Sequence, residues 1–149
     1  MTPSFFWAGL LIGRAASPTV LRRVSEAALV LISLFLAGAG LVVILLGSSL
    51  MTVSSGAGLA GLGLAAVFPT TFAIFTRQYG RQASQLTGFF FVLGGMGGAL
   101  IPWLVGLTSA RFGDLRIGLL IPLFCVASMI VLQIIIIRAL APGNLQNRR

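Results

Sequence analysis

Apolar positions in this chain come in long unbroken runs. They do not alternate as in a half-buried strand, nor form the one-sided stripe of a surface helix. Between Glu26 and Arg77 lie fifty residues without a charged side chain. Within them, Ser33 is the only hydroxyl across residues 27–46. A bilayer core of about 30 Å takes about 20 such residues in a helix. The pattern predicts five spans, at about 4–21, 27–46, 53–76, 86–108 and 117–137. Short polar breaks separate them, such as Leu21-Arg22-Arg23-Val24-Ser25-Glu26 and Gly47-Ser48-Ser49. Short connections imply antiparallel neighbours in one bundle. The expected fold is therefore an all-α membrane protein, a five-helix transmembrane bundle over residues 1–141 with a polar tail at 142–149.

Composition strengthens that picture. The chain has 149 residues, 58% of them apolar, and a mean hydropathy of +1.08. Only 8% are charged, far below the quarter usual in soluble domains. Ten arginines against Glu26 and Asp114 give a net charge of +8. In a soluble protein that excess would point to nucleic acid. Here the arginines fall between and after apolar runs, as in the cytoplasmic loops of membrane proteins, so no nucleic-acid partner is expected. Arg22, Arg23, Arg77, Arg81, Arg138, Arg148 and Arg149 fall on one side of the five-span arrangement, and Arg111 and Arg116 on the other. The expectation is a multi-pass protein of the cell membrane with its amino terminus outside and its carboxyl terminus cytoplasmic.

The chemical repertoire is narrow. There is no histidine, Cys125 is the only cysteine, and neither acid lies within an apolar run. Metal centres, nucleophilic triads and paired carboxylates are therefore not to be had from this chain alone. No enzyme, cofactor or metal is expected, and Cys125 is best taken as a small hydrophobe. Trp7, Trp103 and Tyr79 lie near predicted span ends or bends, where an aromatic interfacial belt is the default.

Small residues recur at one-turn spacing in two spans: Ala57, Gly61, Ala65, Pro69 and Ala73 in the third, and Gly94, Gly98, Pro102 and Gly106 in the fourth. Such stripes let helix backbones approach closely, which any membrane bundle can use. The prolines add something, because each removes a backbone hydrogen bond and invites a kink. Pro69, Pro102, Gly97 and Gly98 are the candidate hinge positions. Arg14 lies eight residues before Arg22, about 12 Å deeper along a continuous helix. Either the first span ends early and Arg14 is one more cytoplasmic arginine, or its long stem snorkels to the interface, or it faces a cavity inside the bundle. In a cavity it could donate to a sugar hydroxyl, a carboxylate or a partner's acid. Thr70 and Thr71 follow Pro69, and their hydroxyls either bond back to a carbonyl one turn earlier or serve a ligand. Arg14, Thr70 and Thr71 are the candidate substrate-binding residues.

A shift of 84 residues lays residues 5–18 on 89–102, matching Phe5/Phe89, Phe6/Phe90, Gly13/Gly97, Ala15/Ala99 and Pro18/Pro102. With five spans the two segments would cross the membrane in opposite directions, the arrangement of inverted repeats in secondary transporters.

The segments FFWAGLLIGR, GLAGLGLAAVFPTTFAIFTRQYG and GGMGGALIPWLVGLTSARFG resemble the carboxyl half of a major facilitator superfamily transporter. The nearest flavour is the fucose-permease-like group of sugar transporters. The marks are Gly9 to Gly13-Arg14, Phe68-Pro69, and Gly97-Gly98-Ala99 followed by Pro102. The acidic loop motif of that family is degraded here to Leu21-Arg22-Arg23-Val24-Ser25-Glu26. The resemblance implies helices eight to twelve of a twelve-helix protein, transporting a small polar solute, such as a sugar, by alternating access. It implies that this chain is a fragment, its amino half being supplied elsewhere or by a partner subunit. The expected partners are thus the bilayer, that missing half and the solute. The alternative is a small structural membrane protein that binds partners and carries nothing.

Overall fold

The computed structural model describes residues 2–139, so the expected tail at 142–149 lies outside the described residues. Six α-helices account for most of them: α1 (Thr2–Leu21), α2 (Glu26–Leu46), α3 (Leu50–Leu64), α4 (Val67–Tyr79), α5 (Ala83–Phe112) and α6 (Leu115–Ala139). No strand occurs among the described residues. Two hydroxyls set helix starts. The Ser25 side chain accepts from the Ala28 N–H at 3.3 Å, and Ser49 from that of Thr52 at 3.1 Å. Each satisfies a donor that the first turn leaves without a partner. At the end of α5 Gly113 takes φ +70° and its N–H reaches the Ser109 carbonyl, which terminates the helix.

The expected third span is two helices. The chain turns at Ala65 and Ala66, then resumes as α4. Pro69 explains the position of the break. It has no N–H to give the Ala65 carbonyl, and its ring crowds that same carbonyl. Helical bonding restarts with the Thr70 N–H on the Ala66 carbonyl at 3.0 Å. The outcome differs at Pro18, Pro102 and Pro122, which sit inside uninterrupted helices. No break accompanies Gly97, Gly98 or Pro102, and both segments of the 84-residue repeat are continuous helix.

Small residues position the helices. α3 lies between α1 and α2 and touches both through glycine. A Cβ on Gly61 would sit 2.9 Å from the Phe6 carbonyl carbon and 3.2 Å from the Leu10 nitrogen of α1. One on Gly9 would sit 2.9 Å from the Gly58 carbonyl carbon, and one on Gly13 would sit 2.5 Å from the Ala65 Cβ. On the opposite face of α3, a Cβ on Gly63 would meet Ala37 Cα at 2.7 Å. One on Gly40 of α2 would meet Ala60 Cα at 2.8 Å. Backbones this close gain dispersion energy over many atom pairs, the main attraction open to helices in lipid. α6 packs on α2 and on α5, and Val30, Leu34 and Val67 form a small buried cluster backed by Ile130.

Polar contacts mark the two ends of α2, which its 21 residues place about 30 Å apart. At its start Glu26 forms an ion pair with Arg77 at the end of α4. At its finish the Arg116 guanidinium donates to the Gly47 carbonyl at 3.0 Å. A cation there suits the negative end of the helix dipole. Also at the start, the Gln133 side chain of α6 donates to the Ala27 carbonyl at 3.2 Å.

Large apolar side chains cover much of the outside, among them Phe89, Trp103, Leu46, Met51, Phe124 and Leu132. By length and composition, three helical stretches among the described residues could cross a membrane: Glu26–Leu46, Leu50–Phe112 and Leu115–Ala139. The second takes in α3, α4 and α5 together. α1, the expected first span, is not among them, and its Ser4, Arg14, Ser17 and Thr19 lower its apolarity.

Candidate functional site

The small-residue stripe on α3 and α4 leads directly to the site. Gly61 and Ala65 press against α1, as described. One and two turns further on, past the break, Pro69 and Ala73 instead line an open cleft of about 530 Å³. The facing residues of α1 are Arg14, immediately after the tight contact at Gly13, and Ser17, Pro18 and Leu21, one to two turns beyond it. Glu26, Phe68 and Thr70 complete the lining. The same stripe thus clamps α1 at one level and leaves a cavity at the next.

Arg14 and Thr70 are 56 positions apart in sequence and share this cleft. α1 continues to Leu21, so an early end to the first helix at Arg14 is ruled out. The Arg14 side chain is exposed in the open cleft, not enclosed. No hydrogen bond or ion pair joins its guanidinium to another described residue. Thr70 is only 5% exposed. Its hydroxyl has no hydrogen-bond partner among the described residues. Thr76, Thr87, Ser17 and Ser128 differ, since their hydroxyls donate to carbonyls three or four residues earlier, whereas the buried Ser109 hydroxyl, where α5 meets Gly118 of α6, likewise has no partner among the described residues. Glu26 brings the cleft's one carboxylate, already engaged by Arg77.

Thr71 is not in this cleft. One residue further along a helix turns about 100°, which puts it on another face. Thr71 is exposed and lines a separate apolar cavity of about 330 Å³ with Val67, Phe68, Phe90, Leu93, Gly94 and Met129. Gly97 and Gly98 face open space, with nothing within 4 Å of a Cβ on either, and Pro102 is exposed. These three candidate hinges therefore lie away from the cleft, and Pro69 alone of the four lines it.

Two features escaped the sequence reading. Phe68, Phe72, Phe75 and Tyr79 of α4 form an aromatic row that meets Phe90 and Phe91 of α5, with ring centroids 5.1–5.8 Å apart across the two helices. Their spacing of four, three and four was the available signal. The Glu26–Arg77 pair joins residues 51 positions apart, which loop composition alone does not reveal.

Helical, strand-free among the described residues, and apolar on its outer surface, the chain has the build of a multi-pass membrane protein with one charged cleft. Over 107 residues it is 31% identical to the glucose/mannose transporter GlcP of Bacillus subtilis. The match takes in 69% of this chain and 26% of that transporter, so the aligned part is about a quarter of its length. No family model matches the chain, and no solved structure matches it.

Proposed function

We propose that this chain forms part of a secondary transporter for a small polar solute, with sugars the first class to test. The observation that carries the reading is the pairing of Arg14 with Thr70 in one cleft. Both have free hydrogen-bonding capacity, and the chain is similar to a sugar transporter. Such proteins hold substrate between helix bundles and move one bundle against the other. In this reading the α1–α3 clamp keeps α1, and with it Arg14, beside the cleft that Thr70 lines, and the Pro69 break supplies the joint about which α4 moves. The helices that would close the other wall belong to an amino half outside this sequence, and the arginine-rich loops face the cytoplasm.

The test is hexose uptake into proteoliposomes holding this chain together with a polypeptide that supplies the amino-half helices. Uptake of glucose or mannose above protein-free vesicles is expected. Arg14→Ala should reduce it, whereas Arg111→Ala, outside the cleft, should not. Absence of uptake with every solute offered, in a folded preparation, would leave a partner-binding structural protein as the better description.

A further inference from the structure

The charge balance of the cleft points to a narrower ligand class. Among the described residues, Arg14 and Glu26 are the charged lining residues, and Arg77 pairs with Glu26 from beside the cleft, so this wall carries a net +1. The Glu26–Arg77 pair is internally neutral, so the surplus resides on Arg14, whose donors are unengaged among the described residues. Thr70, 95% buried as a residue, lines the same cleft, and its hydroxyl has no partner among the described residues. A planar guanidinium presents paired donors matched to the oxygens of a carboxylate or phosphate, and such bonds are stronger when both groups are charged. A neutral hexose would accept from the same donors, but without the charge assistance that an oxyanion adds to each bond.

We infer that the cleft selects small organic oxyanions, carboxylates or phosphate esters, over neutral solutes of the same size. Arg14 binds the anionic group and Thr70 donates to one of its oxygens. The inference rests on the reading of this cleft as the solute site, and it adds the charge of the ligand to that reading. Glu26 takes no part beyond its pair with Arg77, which keeps its carboxylate from repelling the incoming anion.

The experiment compares glucose, gluconate and glucose 6-phosphate on the full chain, assembled in lipid nanodiscs with the polypeptide that supplies the amino-half helices. Binding is measured by calorimetry in neutral phosphatidylcholine discs and again in discs containing phosphatidylglycerol. The two anions are expected to bind more tightly than glucose. Arg14→Gln should weaken them about 10- to 100-fold, the range for losing a charged hydrogen-bonded partner, and change glucose little. Thr70→Val, which keeps the shape and removes the hydroxyl, should weaken the anions by a smaller factor. Arg111→Gln serves as the charge control and should alter none of the three. If phosphatidylglycerol abolishes binding of the soluble anions and Arg14→Gln no longer matters, the oxyanion chemistry stands and its source is a lipid headgroup. Glucose binding as tightly as the anions, and unaffected by Arg14→Gln, would overturn the inference while leaving the transporter reading intact. Failure of all three probes in both disc types would overturn both.

Discussion

Replacing Gly61 by Ala should drive α1 and α3 apart. The added Cβ would lie 2.9 Å from the Phe6 carbonyl carbon and 3.2 Å from the Leu10 nitrogen, both backbone atoms that no rotamer change can move. The Phe6 carbonyl oxygen is nearer still, so restoring ordinary contact requires the helices to separate by about 1 Å or more over the Gly9–Gly61 crossing. Overpacking of this kind costs about 1–3 kcal/mol. Against it stands the better helix propensity of Ala, about 0.5–1 kcal/mol. Gly98→Ala supplies the control, because it gains the same propensity and meets nothing within 4 Å. The propensity terms cancel between the two variants, leaving Gly61→Ala about 1–3 kcal/mol below Gly98→Ala. The assay is reversible unfolding in mixed micelles with increasing dodecyl sulfate, followed by far-ultraviolet circular dichroism. Equal stability of the two variants would refute the claim that glycine contact holds α1 in place, and with it the argument for how Arg14 is positioned.

Other substitutions test separate parts of the account. Pro69→Ala restores an N–H for the Ala65 carbonyl, so amide exchange at residues 65–69 should slow; unchanged exchange would detach the break from the proline. Ser49→Ala removes the cap on α3 and should lower stability by about 0.5–2 kcal/mol in the same micelle assay, with no loss meaning the cap is idle. Glu26→Gln and Arg77→Gln should cost similar amounts, because each charge sits at the favourable end of its own helix dipole, Glu26 in the first turn of α2 and Arg77 in the last turn of α4; the exposed pair itself accounts for only about 0–1 kcal/mol. A deficit in either variant that persists when salt screens the charges would contradict that assignment.

Helix positions were legible because apolar runs long enough for a bilayer admit few other structures. α2, α5 and α6 fall where the runs at 27–46, 86–108 and 117–137 are, extended by one to four residues at the ends. The split between α3 and α4 was legible only as a proline within a run. Pro18 and Pro102 carry the same local signal and leave their helices whole, so the residue type does not decide the outcome. The stripe 57–61–65–69–73 was visible as a period of four, but its change of role was not. Clamp becomes cleft because α1 offers Gly9 and Gly13 at one level and Arg14, Ser17 and Pro18 at the next. Pairing Arg14 with Thr70 required knowing which helix faces which. The same knowledge removed Thr71, whose neighbouring position in sequence is a different face in space. The bare faces of Gly97 and Gly98 on α5 have no counterpart within the described residues, so nothing in their composition could name what they meet.

Solute protection of a single cysteine tests the central claim most directly. In a Cys125→Ser background, Ala73→Cys places a thiol on the wall of the cleft opposite Arg14, and Ala110→Cys places one on α5 away from it. Alkylation rates are measured with and without glucose and glucose 6-phosphate, on the chain assembled with the polypeptide that supplies the amino-half helices. If the cleft is the solute site, at least one of them slows modification at position 73 in a saturable manner. Position 110 stays unaffected, and Arg14→Gln removes the protection. Equal rates at position 73 with and without every solute, in protein shown to be folded, would contradict the account.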